Sequence, residues 1–122
     1  QTWQVVVYPS SDSKVSILRI VGYPGSLRID HPTFLKVKSG IKEWLLDDIT
    51  LDNLQLSSDS REAAVEFNLT TTLNELRNNR PLRLSLEGAF DELPIAPFIV
   101  EEWRSIADNQ NLIQDELNKK YG

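Results

Sequence analysis

The chain has 122 residues, 40% hydrophobic and 25% charged, which suits one domain with its own core and excludes wholesale disorder or collagen-like repeats. Thirteen Lys and Arg against eighteen Asp and Glu give a net charge of −5, which argues against a nucleic-acid partner, whose affinity needs clustered cations. There is no Cys, so disulfides, thiolate nucleophiles and zinc–thiolate sites are excluded. No apolar run approaches the roughly eighteen residues that a membrane-spanning helix needs.

In chain order, Thr2 to Tyr8 reads as a strand, with Trp3, Val5 and Val7 alternating against polar neighbours. Pro9 to Lys14 is a turn, and Val15 to Val21 a second strand that a hairpin would pair with the first. Gly22-Tyr23-Pro24-Gly25 has the chemistry of a type II turn, with Pro24 setting φ and Gly25 free to take a positive φ. Ser26 to Asp30 and Phe34 to Lys38 read as short strands broken at His31-Pro32. In the second, Phe34, Leu35 and Val37 are expected on the apolar side and Lys36 and Lys38 in water. Ser39-Gly40 turns into a strand over Ile41 to Leu46, ended by Asp47-Asp48.

Leu51 to Leu56 fits either a strand or a helical turn, and Ser57 to Arg61 is loop by composition. Ala64 to Leu69 alternates, with Val65, Phe67 and Leu69 inward and Glu66 and Asn68 outward. Thr72 with Glu75 three residues on forms a capping box for a short helix striped by Leu73 and Leu76. Leu82, Leu84 and Leu86 alternate with Arg83, Ser85 and Glu87 in a strand that Gly88 closes. Pro94 and Pro97 bracket a rigid connection, and Pro97 suits the first position of a helix. From Phe98 the period becomes helical: Val100, Trp103, Ile106 and Ala107 form the apolar stripe, with an interruption expected at Asp108 to Asn111. Leu112, Ile113 and Leu117 continue it more weakly. The reading is α+β: a mainly antiparallel sheet or partly open barrel with one short internal helix and a C-terminal helix packed on it. Residues 1–108 form one domain, and 109–122 a polar helical tail.

Chemistry-bearing residues are few. His31 is the lone histidine, and it reads as a turn residue bonded to backbone, because Asp30 beside it points to the opposite face of an extended chain. Asp47-Asp48 and Asp91-Glu92 lack the alternating oxygen spacing of a calcium loop and read as solvated carboxylates at turns. A hydrolase using these four residues is the weakest alternative, since it would need two of them facing each other in a cleft. The tetrapeptide at Gly22 lacks the Lys-Ser/Thr of a phosphate-binding loop, and no Ser sits in a Gly-x-Ser-x-Gly setting. Asn68-Leu69-Thr70 matches a glycosylation sequon, a tripeptide frequent by chance. Leu93-Pro94-Ile95-Ala96-Pro97-Phe98 is apolar and proline-stiffened, the sort of segment that loses little entropy on docking. The candidate binding residues are therefore Leu93, Pro94, Ile95 and Phe98, with Tyr23 and Pro24 in the earlier turn.

Several runs together resemble a known family. They are Thr2-Trp3-Gln4-Val5-Val6-Val7, Leu18-Arg19-Ile20-Val21-Gly22-Tyr23-Pro24-Gly25, His31-Pro32, Pro81-Leu82-Arg83-Leu84-Ser85-Leu86, and Pro94 leading to Glu101-Glu102-Trp103. Over residues 2–108 the chain resembles a family of small proteins of unknown function from cyanobacteria and plastids, usually made with an N-terminal export signal. The resemblance implies a photosynthetic source and a place in the thylakoid lumen or periplasm; no catalytic residue of that family carries over. The chain contains no Met, so Gln1 reads as the start of a processed or trimmed product. An initiator directly before Gln1 would point to the cytoplasm instead. The expected function is a non-enzymatic module, without a cofactor, that binds a protein partner such as a photosystem or an assembly intermediate. The alternative is a carrier of a small apolar ligand, a pigment or lipid, held in a curved sheet lined by tryptophans.

Overall fold

The computed structural model describes residues 2–12, 14–23, 29–50 and 63–121, with backbone alone for 63 and 110–121. The elements are β1 (Thr2–Pro9), β2 (Ser16–Tyr23), β3 (Phe34–Ser39), β4 (Lys42–Asp47), β5 (Ala63–Asn68), α1 (Thr70–Glu75), β6 (Leu82–Leu86), β7 (Phe90–Ile95) and α2 (Pro97–Tyr121). They form two antiparallel sheets, ordered β1-β2-β5 and β4-β3-β6-β7. The sheets do not close into a barrel. Among the described residues they join at a bridge, Asp48 with Phe67, where the Ile49 N–H donates to the Glu66 carbonyl at 2.8 Å. On the far side Trp3 of β1 meets Phe90 of β7 edge-on, with ring centroids 5.5 Å apart.

Period-two alternation builds the core between the sheets. Leu18, Ile20, Val65 and Phe67 from the first sheet meet Leu35, Val37, Leu82, Leu84 and Leu86 from the second, all buried. Each such side chain contributes about 1.5–3 kcal/mol when taken out of water. Leu69, Leu73 and Leu76 around α1 and Val100, Trp103 and Ala107 of α2 belong to the same cluster. Pro97 opens α2 as its composition requires, and Ala96 accepts the N–H groups of Ile99 and Val100. The helix packs on β1 and on α1.

Several local expectations are corrected. Phe34 is half exposed, because strict alternation puts it on the face of Lys36 and Lys38 while Leu35 and Val37 take the core. Ile41 lies in the turn before β4 and is fully exposed. Ile29 and Asp30 are not in a strand, and the His31–Pro32 peptide is cis. Glu66 is 2% exposed although it sits on the outer side of β5, since it lies opposite Arg19 and accepts the Tyr8 hydroxyl. Thr72 caps nothing. The short helix starts two residues earlier, where Asn68 Oδ1 accepts the Thr70 N–H at 3.0 Å and Thr70 Oγ1 accepts the Ser16 N–H at 2.9 Å. Thr72 Oγ1 is left buried without a hydrogen bond among the described residues. The C-terminal helix also runs through Asp108 to Asn111 without a break. Residues 24–28 and 51–62, with the readings made for them, lie outside the described residues.

Candidate functional site

The proline-stiffened segment is not a free connection. Leu93-Pro94-Ile95 is the end of β7, paired with β6 through Leu84–Leu93, Arg83–Pro94 and Leu82–Ile95. Ile95 is 5% exposed and part of the core, which takes it out of reach of a partner, and Leu93 is half-buried and packs against that core. Pro94 points outward. Its missing N–H confines it to an edge position, where no ladder bond is lost. Beyond it Phe98 stands 71% exposed in the first turn of α2. Tyr23 is 50% exposed at the end of β2, opposite Thr2 of β1 in the three-stranded sheet; Pro24 is among the residues not described. Of the six candidates, Pro94 and Phe98 thus share one exposed corner, while Tyr23 belongs to a different sheet.

The acidic pairs do not converge. Asp47 ends β4 and Asp91-Glu92 lie on β7, opposite edges of the four-stranded sheet with β3 and β6 between them. Three strand spacings separate such edges, about 14 Å. Asp91 accepts the Ser85 hydroxyl at 3.0 Å. Glu92, at φ 55°, receives Lys38 Nζ at 3.2 Å and faces Arg83 at 3.8 Å. Among the described residues, no three His, Asp or Glu side chains gather where they could hold a metal ion.

Asp48 departs from expectation: its side chain is 2% exposed and it anchors a polar network. Its carboxylate accepts the Thr50 hydroxyl, the Thr50 N–H at 2.9 Å and the Thr33 N–H at 3.2 Å. His31 Nδ1 lies 2.5 Å from Asp48 Oδ2, so the histidine's partner is this carboxylate and not backbone. Burial pushes the Asp48 carboxyl up, yet Thr50, His31 and the two backbone donors together outweigh it and hold the group below its ordinary value. The Thr50 hydroxyl oxygen also accepts the Glu66 N–H at 2.9 Å, which ties the network to β5. On β1, burial and then the Glu66 carboxylate push the Tyr8 phenol up to about 12. Nothing in the sequence pattern of Tyr8, Thr50 and Glu66 signals this network, since the residues lie far apart in the chain. It seals the junction between the two sheets.

β4 presents a different feature. Past the Asp48 bridge, the chain after β5 turns into α1, and among the described residues no strand pairs with the outer edge of β4. A cleft of about 320 Å³ opens there, lined by Trp44, Leu45, Asp47, Asn68 and Thr71 among others. Trp44 Nε1 donates to Glu75 Oε2 at 2.7 Å, which fixes the inner wall to α1. Leu45, on the outer face of β4, is 63% exposed.

No curated protein and no solved structure matches the chain. The model of one protein family does match, over residues 1–106, so the two sheets and the first turns of α2 lie within it. The chain therefore belongs to that family, which is described as a protein of unknown function (DUF3122).

Proposed function

We propose that this protein is a non-enzymatic binding module on the lumenal or periplasmic side of a photosynthetic membrane, where it docks on a membrane complex such as a photosystem or its assembly intermediate. The observation that carries the reading is Phe98, a 71% exposed aromatic at the corner where β7 becomes α2. Exposed Pro94 precedes it, and the intervening Ile95 is anchored in the core, so the corner is held rigid. A rigid aromatic on a proline-stiffened corner loses little entropy on association, and aromatic side chains dominate binding energy at protein interfaces. The compartment rests on the resemblance carried by Leu18 to Gly25 and Glu101-Glu102-Trp103. A pigment or lipid carrier has less to draw on, because Phe67, Leu84 and Leu86 fill the space between the sheets.

The test is fractionation of a cyanobacterium that makes the tagged full-length protein, followed by affinity capture from detergent-solubilised thylakoids. The expected result is a lumenal or periplasmic location and recovery of one membrane complex, reduced several-fold by Phe98→Asp. A cytosolic location with no complex recovered would refute the proposal.

A further inference from the structure

We infer that the outer edge of β4 is a strand-addition site for an extended polypeptide segment in which alternate residues read basic, apolar, basic. The turn between β3 and β4 fixes the phase of the edge. Gly40, at φ 60°, and Ile41 form a two-residue loop closed by the pair Ser39–Lys42. Gly at the first loop position with positive φ is type II′ chemistry, and its closing pair is hydrogen-bonded. Alternation from that pair directs the backbone groups of Lys42, Trp44 and Leu46 to β3. Those of Glu43, Leu45 and the Asp47 N–H then face away from β3, Leu45 and Asp47 beside the cleft. The bond from Ile49 to Glu66 lies beyond the strand and leaves them untouched.

The side chains say what the edge would accept. Glu43, Leu45 and Asp47 lie on one face at period two, so an exposed apolar residue is flanked on both sides by carboxylates. Lys36 reaches one oxygen of Glu43 at 3.4 Å from the β3 side, and both remain nearly half exposed. An added antiparallel strand that sets an apolar residue opposite Leu45 places its residues two before and two after opposite Glu43 and Asp47. Cations there form favourable cross-strand pairs, each worth about 0.2–1 kcal/mol. A second copy of this chain is the wrong occupant. Self-pairing of β4 about Leu45 sets Glu43 opposite Asp47 twice, and like charges directly opposed destabilise a ladder. Main-chain bonds supply affinity in such additions and alternate side chains supply selectivity.

This site lies apart from the Phe98 corner and draws only its biological purpose from the protein-binding reading. Its test uses purified protein and no membrane, so either proposal can fail alone. The probe is the peptide acetyl-Thr-Lys-Thr-Val-Thr-Lys-Thr-amide, titrated into the isotope-labelled full chain and followed by NMR and amide exchange. The expected result is shifts and new protection at the Glu43, Leu45 and Asp47 amides. Binding should weaken about tenfold when both peptide lysines become glutamates, and the E43K/D47K protein should reverse that preference. No change at the β4 amides at millimolar peptide would overturn the inference. So would equal binding of both peptides, or a concentration-dependent dimer of the free protein paired through β4.

Discussion

The two edges of the four-stranded sheet are built differently. β7 bends at Glu92, slips register between Leu84 and Leu86, and carries Pro94 where a donor would otherwise face outward. Proline and bulges of this kind blunt an edge against further pairing. β4 has regular pairing with β3 from Phe34–Asp47 to Ser39–Lys42, and among the described residues its edge carries charges in place of a bulge or a proline. Those charges repel a copy of the same strand while leaving the edge open to a basic one. One edge is closed by covalent chemistry and the other is selective by electrostatics.

The largest expected effect separates the inward residue of β7 from the outward residue of β4. Ile95→Ala should cost about 2–5 kcal/mol in urea unfolding, because it empties a core position. Leu45→Ala should stay within about 0.5 kcal/mol, because its side chain already faces water. Equal losses would erase the distinction between the edges. Next comes the anchor at the end of β4. Asp48→Ala strands the Thr50 and Thr33 donors and should cost about 1–3 kcal/mol near neutral pH. The folded carboxyl lies below its ordinary 3.8, so its contribution is present above that value and fades as pH falls through the folded value. Unfolding free energies of the two proteins, compared across acid pH, should therefore converge only below 3.8.

A smaller effect appears in alkali. Tyr8 is raised from 10.0 to about 12, so its neutral form stabilises the fold fully below 10.0, and that contribution is lost as pH climbs towards 12. The phenolate absorbance should show a late-ionising component that is absent in Tyr8→Phe. Smallest of all is Pro94→Thr, which gives β7 back an outward N–H and should alter stability by no more than about 0.5 kcal/mol. In that variant the added amide should exchange freely with solvent, whereas protection would mean that the β7 edge is covered.

Much of the sheet was legible because period-two alternation is a strong signal. Leu82, Leu84 and Leu86, or Val65 and Phe67, have one way to bury their side chains. β7 was harder to read: Leu93 and Ile95 alternate, but Pro94 between them reads as a breaker until an edge position makes it tolerable. Ile95 therefore reads as a docking residue in the sequence and is a core one in the fold. Phe34 joins the apolar side only when apolar residues are counted without the alternation, which puts it with Lys36 and Lys38. Glu66 and Asp48 escaped because their burial depends on partners distant in sequence, Tyr8 for the first and His31, Thr33 and Thr50 for the second. Of the candidate site, Phe98 and Pro94 were accessible to sequence reasoning. The β4 edge was not, since an edge is a property of strand order.

The difference between an interior ladder and an unpaired edge is most directly measured by amide hydrogen exchange in the free protein. The Lys36 and Lys38 amides of β3, committed to β6, should exchange at least about tenfold more slowly than those of Glu43 and Leu45. Comparable protection at Glu43 and Leu45 would mean that β4 is already paired, and the selective edge would not exist.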